Sequence, residues 1–120
     1  MDNKEFSKLL EVRTRKFAVT IIKLSSKLPN TPEGLVLRNQ LTKSGTSIGA
    51  NYREANRGRS TADFYNKIKI SESEASETVY WLEIIDELNW MEKNLFKPVY
   101  EESNELLAIF TTIKKKLKTK

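Results

Sequence analysis

The residues with the clearest chemistry are cations in the middle of the chain, where their side chains could hold a polyanion. Arg53 and Arg57 are one helical turn apart, and Arg59 follows them, so the three predict a compact cationic corner. The wider basic set, interleaved with aromatic residues, is Arg38, Lys43, Arg53, Arg57, Arg59, Lys67 and Lys69. Two interpretations stay open: phosphate contacts to RNA or DNA, or a solvated or ion-paired surface without a ligand.

Catalytic chemistry is restricted because the sequence contains neither cysteine nor histidine. Disulfides, thiolate nucleophiles and cysteine-ligated metals are therefore excluded. The usual Ser–His and Cys–His pairs are excluded as well, which leaves only lysine or carboxylate chemistry. We therefore expect no catalytic residues, no cofactor and no small-molecule substrate.

Two groups of carboxylates resemble parts of a metal site. Glu74 and Glu77 have the spacing of ligands on one helix face, and Glu101, Glu102 and Glu105 form a second group. A di-metal carboxylate bundle also uses Glu-x-x-His motifs, which this chain cannot supply. We therefore predict solvated surfaces or intersubunit ion pairs here rather than a metal site.

Charge is unevenly distributed along the chain, whose total is +5. Residues 34–70 contain seven basic and two acidic residues, whereas residues 71–110 contain two basic and ten acidic ones. The last ten residues add five lysines, which end at Lys120 and suggest either a second electrostatic contact or a soluble, fraying end. A folded bundle with such segregation can attract a polyanion or a complementary copy of itself.

The length of 120 residues is enough for one domain with a modest core, which we assign to residues 1–120. No apolar run is long enough to cross a membrane, and the first residues lack the pattern of a secretion signal. We expect a cytoplasmic protein with no membrane contact.

Apolar residues recur at steps of three and four, which predicts four amphipathic helices. The first ends at Pro29, the second opens at Thr31 and ends near Gly58, the third runs from Ser60 to about Asn89, and the fourth starts between Asn94 and Pro98. Short connections favour an all-α, antiparallel up-and-down four-helix bundle with left-handed packing. The four predicted core stripes are Leu10, Thr14, Phe17, Ile21, Leu24 and Leu28; Leu37, Leu41, Ser44, Ile48, Asn51 or Tyr52, and Ala55; Phe64, Ile68, Ser71, Ala75, Thr78, Leu82 and Ile85; and Val99, Ser103, Leu106, Phe110, Ile113 and Leu117.

The second helix is unusual because it contains small and polar residues between positions 44 and 51, including two glycines. Each helical glycine costs about 1 kcal/mol relative to alanine, so we expect close packing on the third helix or on another subunit, or else a surface cleared for phosphate. Polar residues near the core stripe should form hydrogen bonds with Ser71 and Thr78 of the third helix. The predicted structural polar network comprises Ser44, Ser47, Asn51, Glu54 and Glu77.

One group of motifs resembles a known family. The motifs are Ser47-Ile48-Gly49-Ala50-Asn51-x-x-Glu54-Ala55, Arg38-x-Gln40-Leu41 before it, and Phe64 and Glu77-x-x-x-Trp81-Leu82-Glu83 after it. They resemble the four-helix-bundle family encoded by intervening sequences in bacterial 23S rRNA genes, sometimes labelled a ribosomal protein. Similar proteins commonly have glycine at the position of Asn56. The resemblance implies a homopentameric ring, and kinship with the accessory protein of diversity-generating retroelements, which is associated with nucleic acid and reverse transcriptase.

Together these observations predict a non-catalytic, homo-oligomeric RNA-binding accessory protein. Its nucleic-acid-binding residues would be Arg38, Lys43, Arg53, Arg57, Arg59 and Lys67. The alternative is a protein interaction scaffold that forms a homo-oligomeric ring without nucleic acid. The pentameric state comes from the resemblance alone.

Overall fold

The computed structural model describes residues 1–118, in which four α-helices and no β-strand are present. The helices are α1 (Asn3–Ser25), α2 (Pro32–Asn56), α3 (Thr61–Glu87) and α4 (Lys93–Lys118). Lys120, the last residue of the predicted basic tail, lies outside the described range. Each helix packs on the next, and α4 returns beside α1 in the least extensive of the four contacts. The predicted all-α four-helix bundle is confirmed.

Side-chain caps start the first three helices where the sequence places suitable oxygens. The Asp2 carboxylate accepts from the Glu5 amide at 2.8 Å, Thr31 Oγ1 from the Gly34 amide at 3.0 Å, and Ser60 Oγ from the Asp63 amide at 3.1 Å. Each cap satisfies one of the amides that lack a partner in a first helical turn. The predicted starts of the second and third helices are confirmed.

The first and third helices end slightly earlier than predicted, whereas α2 ends at Asn56, near Gly58 as predicted. The first helix ends at Ser25, before Pro29, although Leu28 in the following turn remains buried. Gly58 follows the end of α2 without a positive φ. After α3, Asn89 adopts a φ of 56°, and the Trp90 amide donates to the Ile85 carbonyl at 3.3 Å. This is a left-handed helix end, which closes α3 two residues earlier than predicted.

The start of α4 is where the prediction was wrong about proline. The helix begins at Lys93, so Pro98 lies in its second turn rather than its first. The Phe96 amide donates to the Glu92 carbonyl at 3.0 Å, and Lys93 Nζ lies 2.9 Å from Asp86 Oδ1, so contacts before the proline already hold the turn. Pro98 has no amide hydrogen, so the carbonyl of Asn94 has no helical donor. Because Asn94 is exposed, water can donate to this carbonyl instead.

The core consists of the predicted stripes together with Phe96 of α4, which was not predicted. Within them Tyr52 rather than Asn51 is fully buried, and its ring meets Phe110 edge-to-face with centroids 5.4 Å apart. The outer members of the stripes are only partly buried: Leu37, Phe64, Ile113 and Leu117. The 3–4 spacing therefore predicted which side chains are buried, because burial of one stripe per helix is what a four-helix bundle requires.

Gly45 and Gly49 of α2 pack on α1, so the prediction that they pack on the third helix was wrong. A Cβ on Gly45 would lie 2.7 Å from Ile21 Cγ2, and a Cβ on Gly49 would lie 2.8 Å from Thr14 Oγ1. The missing side chains let the backbones of α1 and α2 approach closely. The pairs 14/49 and 21/45 also show that these two helices are antiparallel.

On its other side, α1 is linked to α4 by charge. Arg13 donates through Nε and Nη2 to the two carboxylate oxygens of Glu102 at 2.7 and 2.6 Å, and Nη2 lies 2.9 Å from Glu105 Oε1. These hydrogen bonds, Glu102 first, raise the pKa of the guanidinium above its ordinary value. The bidentate geometry fixes the relative position of α1 and α4. No helix within residues 1–118 is long and apolar enough to cross a membrane.

Candidate nucleic-acid interface

The exposed cations of α2 lie on the face opposite its core stripe. Residues 43, 46, 50, 53 and 57 follow 3–4 spacing and so share this outer face, while Leu41, Ile48 and Tyr52 point into the core. Lys43, Arg53 and Arg57 are all exposed. None of these three cations has an ion pair within residues 1–118.

The predicted cationic corner is present where α2 turns into α3. Arg57 caps α2, and Arg59 lies in the turn just before the Ser60 cap; both are exposed. Arg53 lies one helical turn before Arg57 on the same face. Three guanidinium groups therefore share the α2–α3 end of the bundle, and Arg59, like the other two, has no ion pair in the described chain.

Lys67 lies near this corner but has a partner within the chain. Its Nζ lies 3.2 Å from Glu54 Oε2, and both side chains remain substantially exposed. An exposed pair of this kind contributes little stability, but it offsets the positive charge of Lys67 locally. Lys67 is thus a weaker candidate for a phosphate contact than the three arginines of the corner.

Arg38 is placed apart from the corner, fifteen residues or about 22 Å along α2 from Arg53. Its Nη2 donates to the Leu28 carbonyl at 2.6 Å and to the Ser26 carbonyl at 3.2 Å. These carbonyls follow the end of α1 and have no helical donor. The guanidinium therefore closes the α1–α2 connection, a role that the sequence analysis did not predict.

One cation of this surface was missed from the sequence. Arg15 of α1 is exposed and lines a groove of about 300 Å³ between α1 and α2, which Arg53 also lines. Arg15 follows the core residue Thr14, which packs on Gly49 of α2. If the sequence had shown that α1 packs on Gly49, it would also have placed Arg15 beside α2. Without that pairing, Arg15 is simply an exposed cation on a separate helix.

The predicted polar network is smaller than expected and its carboxylates were assigned wrongly. Thr78 Oγ1 lies 2.9 Å from Ser44 Oγ, and Ser71 Oγ donates to the Ile48 carbonyl at 2.9 Å, so α2 and α3 are linked as predicted. Ser47 and Asn51 instead bond to carbonyls within α2, those of Lys43 and Ser47. The carboxylate of Glu54 pairs with Lys67, while Glu77 accepts from Trp81 Nε1 at 3.2 Å. Neither carboxylate enters the buried part of the α2–α3 interface, where loss of hydration would be costly.

Acidic side chains dominate the outer surface of α3 and meet donors from α4. Glu72 Oε1 lies 2.6 Å from Lys114 Nζ. Burial acts to raise the pKa of Glu72, but hydrogen bonds from Lys114 and Thr111 and the nearby lysine charges together lower it. The Tyr100 hydroxyl donates to Glu83 Oε2 at 2.7 Å, which raises the pKa of Tyr100. In the described part of the chain, no cluster of three or more carboxylates has a geometry suited to a metal ion.

These features define a class of protein: a small antiparallel four-helix bundle with exposed arginines where α2 meets α3 and an acidic third helix. Residues 10–112 match the family model of the 23S rRNA-intervening sequence protein, and the chain belongs to this family. The resemblance found in the sequence is thus confirmed.

A solved structure supports the same assignment. It is the crystal structure at 1.70 Å resolution of a protein of unknown function from the S23 ribosomal protein family of Bacteroides thetaiotaomicron. The two chains are 37% identical, with a TM-score of 0.80, and the match covers 88% of this chain and 97% of that one. No curated protein matches the sequence.

Proposed function

We propose that this protein is a non-catalytic RNA-binding accessory protein of the cytoplasm. The observation that carries the proposal is the set of exposed arginines at the α2–α3 end, Arg53, Arg57 and Arg59, which have no ion pairs within residues 1–118. Three guanidinium groups so placed repel one another, and phosphates would relieve that repulsion while releasing counterions. The family name, which refers to 23S rRNA, makes a structured RNA the natural ligand for a first test.

The test is a titration of structured RNA at several salt concentrations. We expect binding that weakens steeply with salt, because each neutralised phosphate of a duplex contributes about 0.9 to the slope of log K against log salt. A triple variant, R53Q/R57Q/R59Q, should lose affinity at low salt and lower the slope by about 2 to 3.

The control is a variant with the same loss of charge elsewhere, K8Q/K23Q/K97Q, whose three positions are exposed on α1 and α4. It should retain most of the affinity. Absence of binding by the wild type at low salt, or equal affinities of the two triple variants, would contradict the proposal.

A second function, a homo-oligomeric scaffold, is favoured by exposed apolar side chains on two helices that are not neighbours in the bundle. On α1 these include Val19 and Ile22, and on α3 they include Ile70 and Tyr80, each at least 42% exposed. Since α1 and α3 are diagonal in the bundle, their outer faces point in opposite directions. The outer face of α1 is basic and that of α3 is acidic.

A contact between these two faces would be heterologous, and such contacts close into rings when the rotation permits. The pentamer implied by the family resemblance is a ring of this kind. Light scattering should show a mass above that of the monomer, and Y80K should reduce the mass by placing a cation in the contact. A monomer at every concentration and salt would rule out the scaffold.

A further inference from the structure

The groove between α1 and α2 is lined by two cations without an ion pair in residues 1–118 and by several small residues. Its walls carry Arg15 and Arg53, from different helices, and its floor includes Thr46, Gly49 and Ala50. Gly49 lies directly on Thr14, so the two helices approach closely and the groove is shallow. Nothing on its floor is longer than threonine, and the guanidinium groups can therefore contact a ligand that lies along the helices.

The groove also contains one carboxylate, which is held by another residue. Glu11 Oε2 accepts a hydrogen bond from Asn56 Nδ2 at 2.8 Å, at the last residue of α2. Although Glu11 lines the same groove, neither Arg15 nor Arg53 forms an ion pair with it or with any other residue in the range 1–118. Two positive side chains thus converge where the described chain supplies no bonded counter-charge.

We infer that this groove binds the phosphate backbone of a single RNA strand, with Arg15 as a contact residue, an inference that rests on the proposed function. Guanidinium groups match phosphate oxygens with two parallel hydrogen bonds, which a pair of arginines on opposite walls offers from both sides. Packed helices have axes only about 8–10 Å apart, so the groove between them admits one strand and not a duplex.

The direction of the strand follows from the neighbouring cations. Arg57 lies one helical turn beyond Arg53 on the same face, and Arg59 follows in the next turn of the chain. Arg53 therefore belongs both to the lining of the groove and to the cationic corner. A strand would run along the outer face of α2, from Arg15 towards the α2–α3 connection, and contact phosphates without reading bases.

The experiment measures fluorescence anisotropy of a labelled single-stranded RNA of 12 nucleotides at low and high salt. Two variants address the groove: R15Q removes one wall, and A50L raises the floor without changing the charge. Both residues are exposed, so neither change should alter thermal unfolding. We expect R15Q to weaken binding roughly five- to tenfold and lower the salt slope by about 0.7, and A50L to weaken binding without any change of net charge.

Matched controls use the same helices or the same change. K16Q removes a charge from the adjacent residue of α1, which faces the α4 side, and A108L makes the same enlargement at an exposed site of α4. Both should stay within twofold of wild-type affinity. If R15Q and K16Q weaken binding equally, RNA is attracted by the overall positive charge of the surface rather than bound in the groove, and the inference is overturned.

Failure of the inference can be told apart from failure of the proposed function. A wild type that binds no RNA at low salt defeats both. If the wild type binds RNA, R53Q and R57Q bind it more weakly, and R15Q and A50L bind it as tightly as the wild type, the proposed function stands. The groove is then not the binding site. Binding of duplex RNA with no binding of the single strand also removes the groove.

Discussion

Thr78 Oγ1 and Ser44 Oγ lie 2.9 Å apart across the α2–α3 interface, where both side chains are closed to solvent. Thr78 Oγ1 is also 2.8 Å from the Glu74 carbonyl, and Ser44 Oγ is 3.3 Å from the Leu41 carbonyl. Each hydroxyl has one proton, so two of these three contacts can be hydrogen bonds at once: one hydroxyl donates across the interface, and the other donates to the carbonyl on its own helix. The pair joins α2 and α3 at one register without leaving a buried polar atom unsatisfied.

The first prediction concerns the strength of this link. T78V keeps the shape of the side chain and should lower the free energy of unfolding by about 1 kcal/mol, the usual net value of a buried hydrogen bond. S44A should have a similar effect, and the double variant should show a coupling of about 0.5–1 kcal/mol in urea unfolding. Zero coupling would mean that the two hydroxyls act independently. S103A is the contrast: Ser103 Oγ is buried without a hydrogen-bond partner in the described chain, so its removal should not destabilise the protein.

The second prediction reverses the usual effect of alanine in a helix. At an exposed site, Gly→Ala stabilises a helix by about 1 kcal/mol, but a Cβ on Gly45 would lie 2.7 Å from Ile21 Cγ2. G45A should therefore destabilise the protein by about 1–3 kcal/mol. G58A is the comparison: its φ is not positive, and a Cβ there would lie 3.2 Å from the Ala55 carbonyl oxygen, a tight contact but a lesser one, so G58A should cost less than G45A. In the G45A background, I21A should cost less than in the wild type; equal costs would show that the clash is absent.

Much of the fold could be predicted because it depends on burial, which leaves a periodic trace in the sequence. The stripe from Ile68 to Ile85 and the capped start at Ser60 are both local signals. The pairing of surfaces is not local. Which helix covers Gly45 depends on how α1 lies against α2, and 3–4 spacing within α2 contains no information about it.

The candidate site, like the fold, could be predicted where it depends on spacing within one helix and not where it depends on packing between helices. Arg53, Arg57 and Arg59 are close in sequence, so their grouping follows from helical spacing alone. Arg15 lies beside Arg53 only because α1 packs on α2. Arg38 does not belong to the candidate site, because its guanidinium donates to carbonyls that follow the end of α1. Charge in the sequence shows which side chains can bind phosphate. Their availability is determined by contacts made in three dimensions.

The third prediction separates Arg38 from the other arginines. R38Q should lower stability by about 1–2 kcal/mol, because it removes a charged donor from the carbonyls of Leu28 and Ser26. Its RNA affinity, measured below the unfolding temperature, should remain close to that of the wild type. R53Q should show the opposite pattern, with unchanged stability and weaker binding. A loss of affinity in R38Q as large as that in R53Q would restore Arg38 to the binding surface.

The fourth prediction is a pH dependence. The pKa of Glu72 is lower in the folded protein than its ordinary value, so the unfolded chain takes up the proton first as the pH falls. The stabilisation by Lys114 is therefore complete above the unfolded carboxyl pKa, about 4.3, and is lost as the pH drops through the folded value. E72Q should be less stable than wild type at pH 7, by less than about 1 kcal/mol, and the difference should disappear in acid.

Denaturant unfolding from pH 7 down to about pH 3 measures this difference. Glu101 is exposed and has no ion pair within residues 1–118, so E101Q is the control for removing a carboxylate from the surface. A gap between E72Q and wild type that persists unchanged in acid would show that the ion pair is not its cause.

The fifth prediction uses the ion pair at the cationic corner to test whether Lys67 is available to RNA. Because Lys67 Nζ lies 3.2 Å from Glu54 Oε2, its charge is offset in the wild type. E54Q should release Lys67 and strengthen RNA binding severalfold, with a steeper salt dependence. K67Q alone should weaken binding only slightly, while the double variant E54Q/K67Q should lose most of the gain. If E54Q binds no better than the wild type, release of Lys67 does not help RNA binding and Lys67 is not a phosphate contact. If the gain persists in E54Q/K67Q, Glu54 repels RNA by its own charge, and Lys67 is again not a phosphate contact.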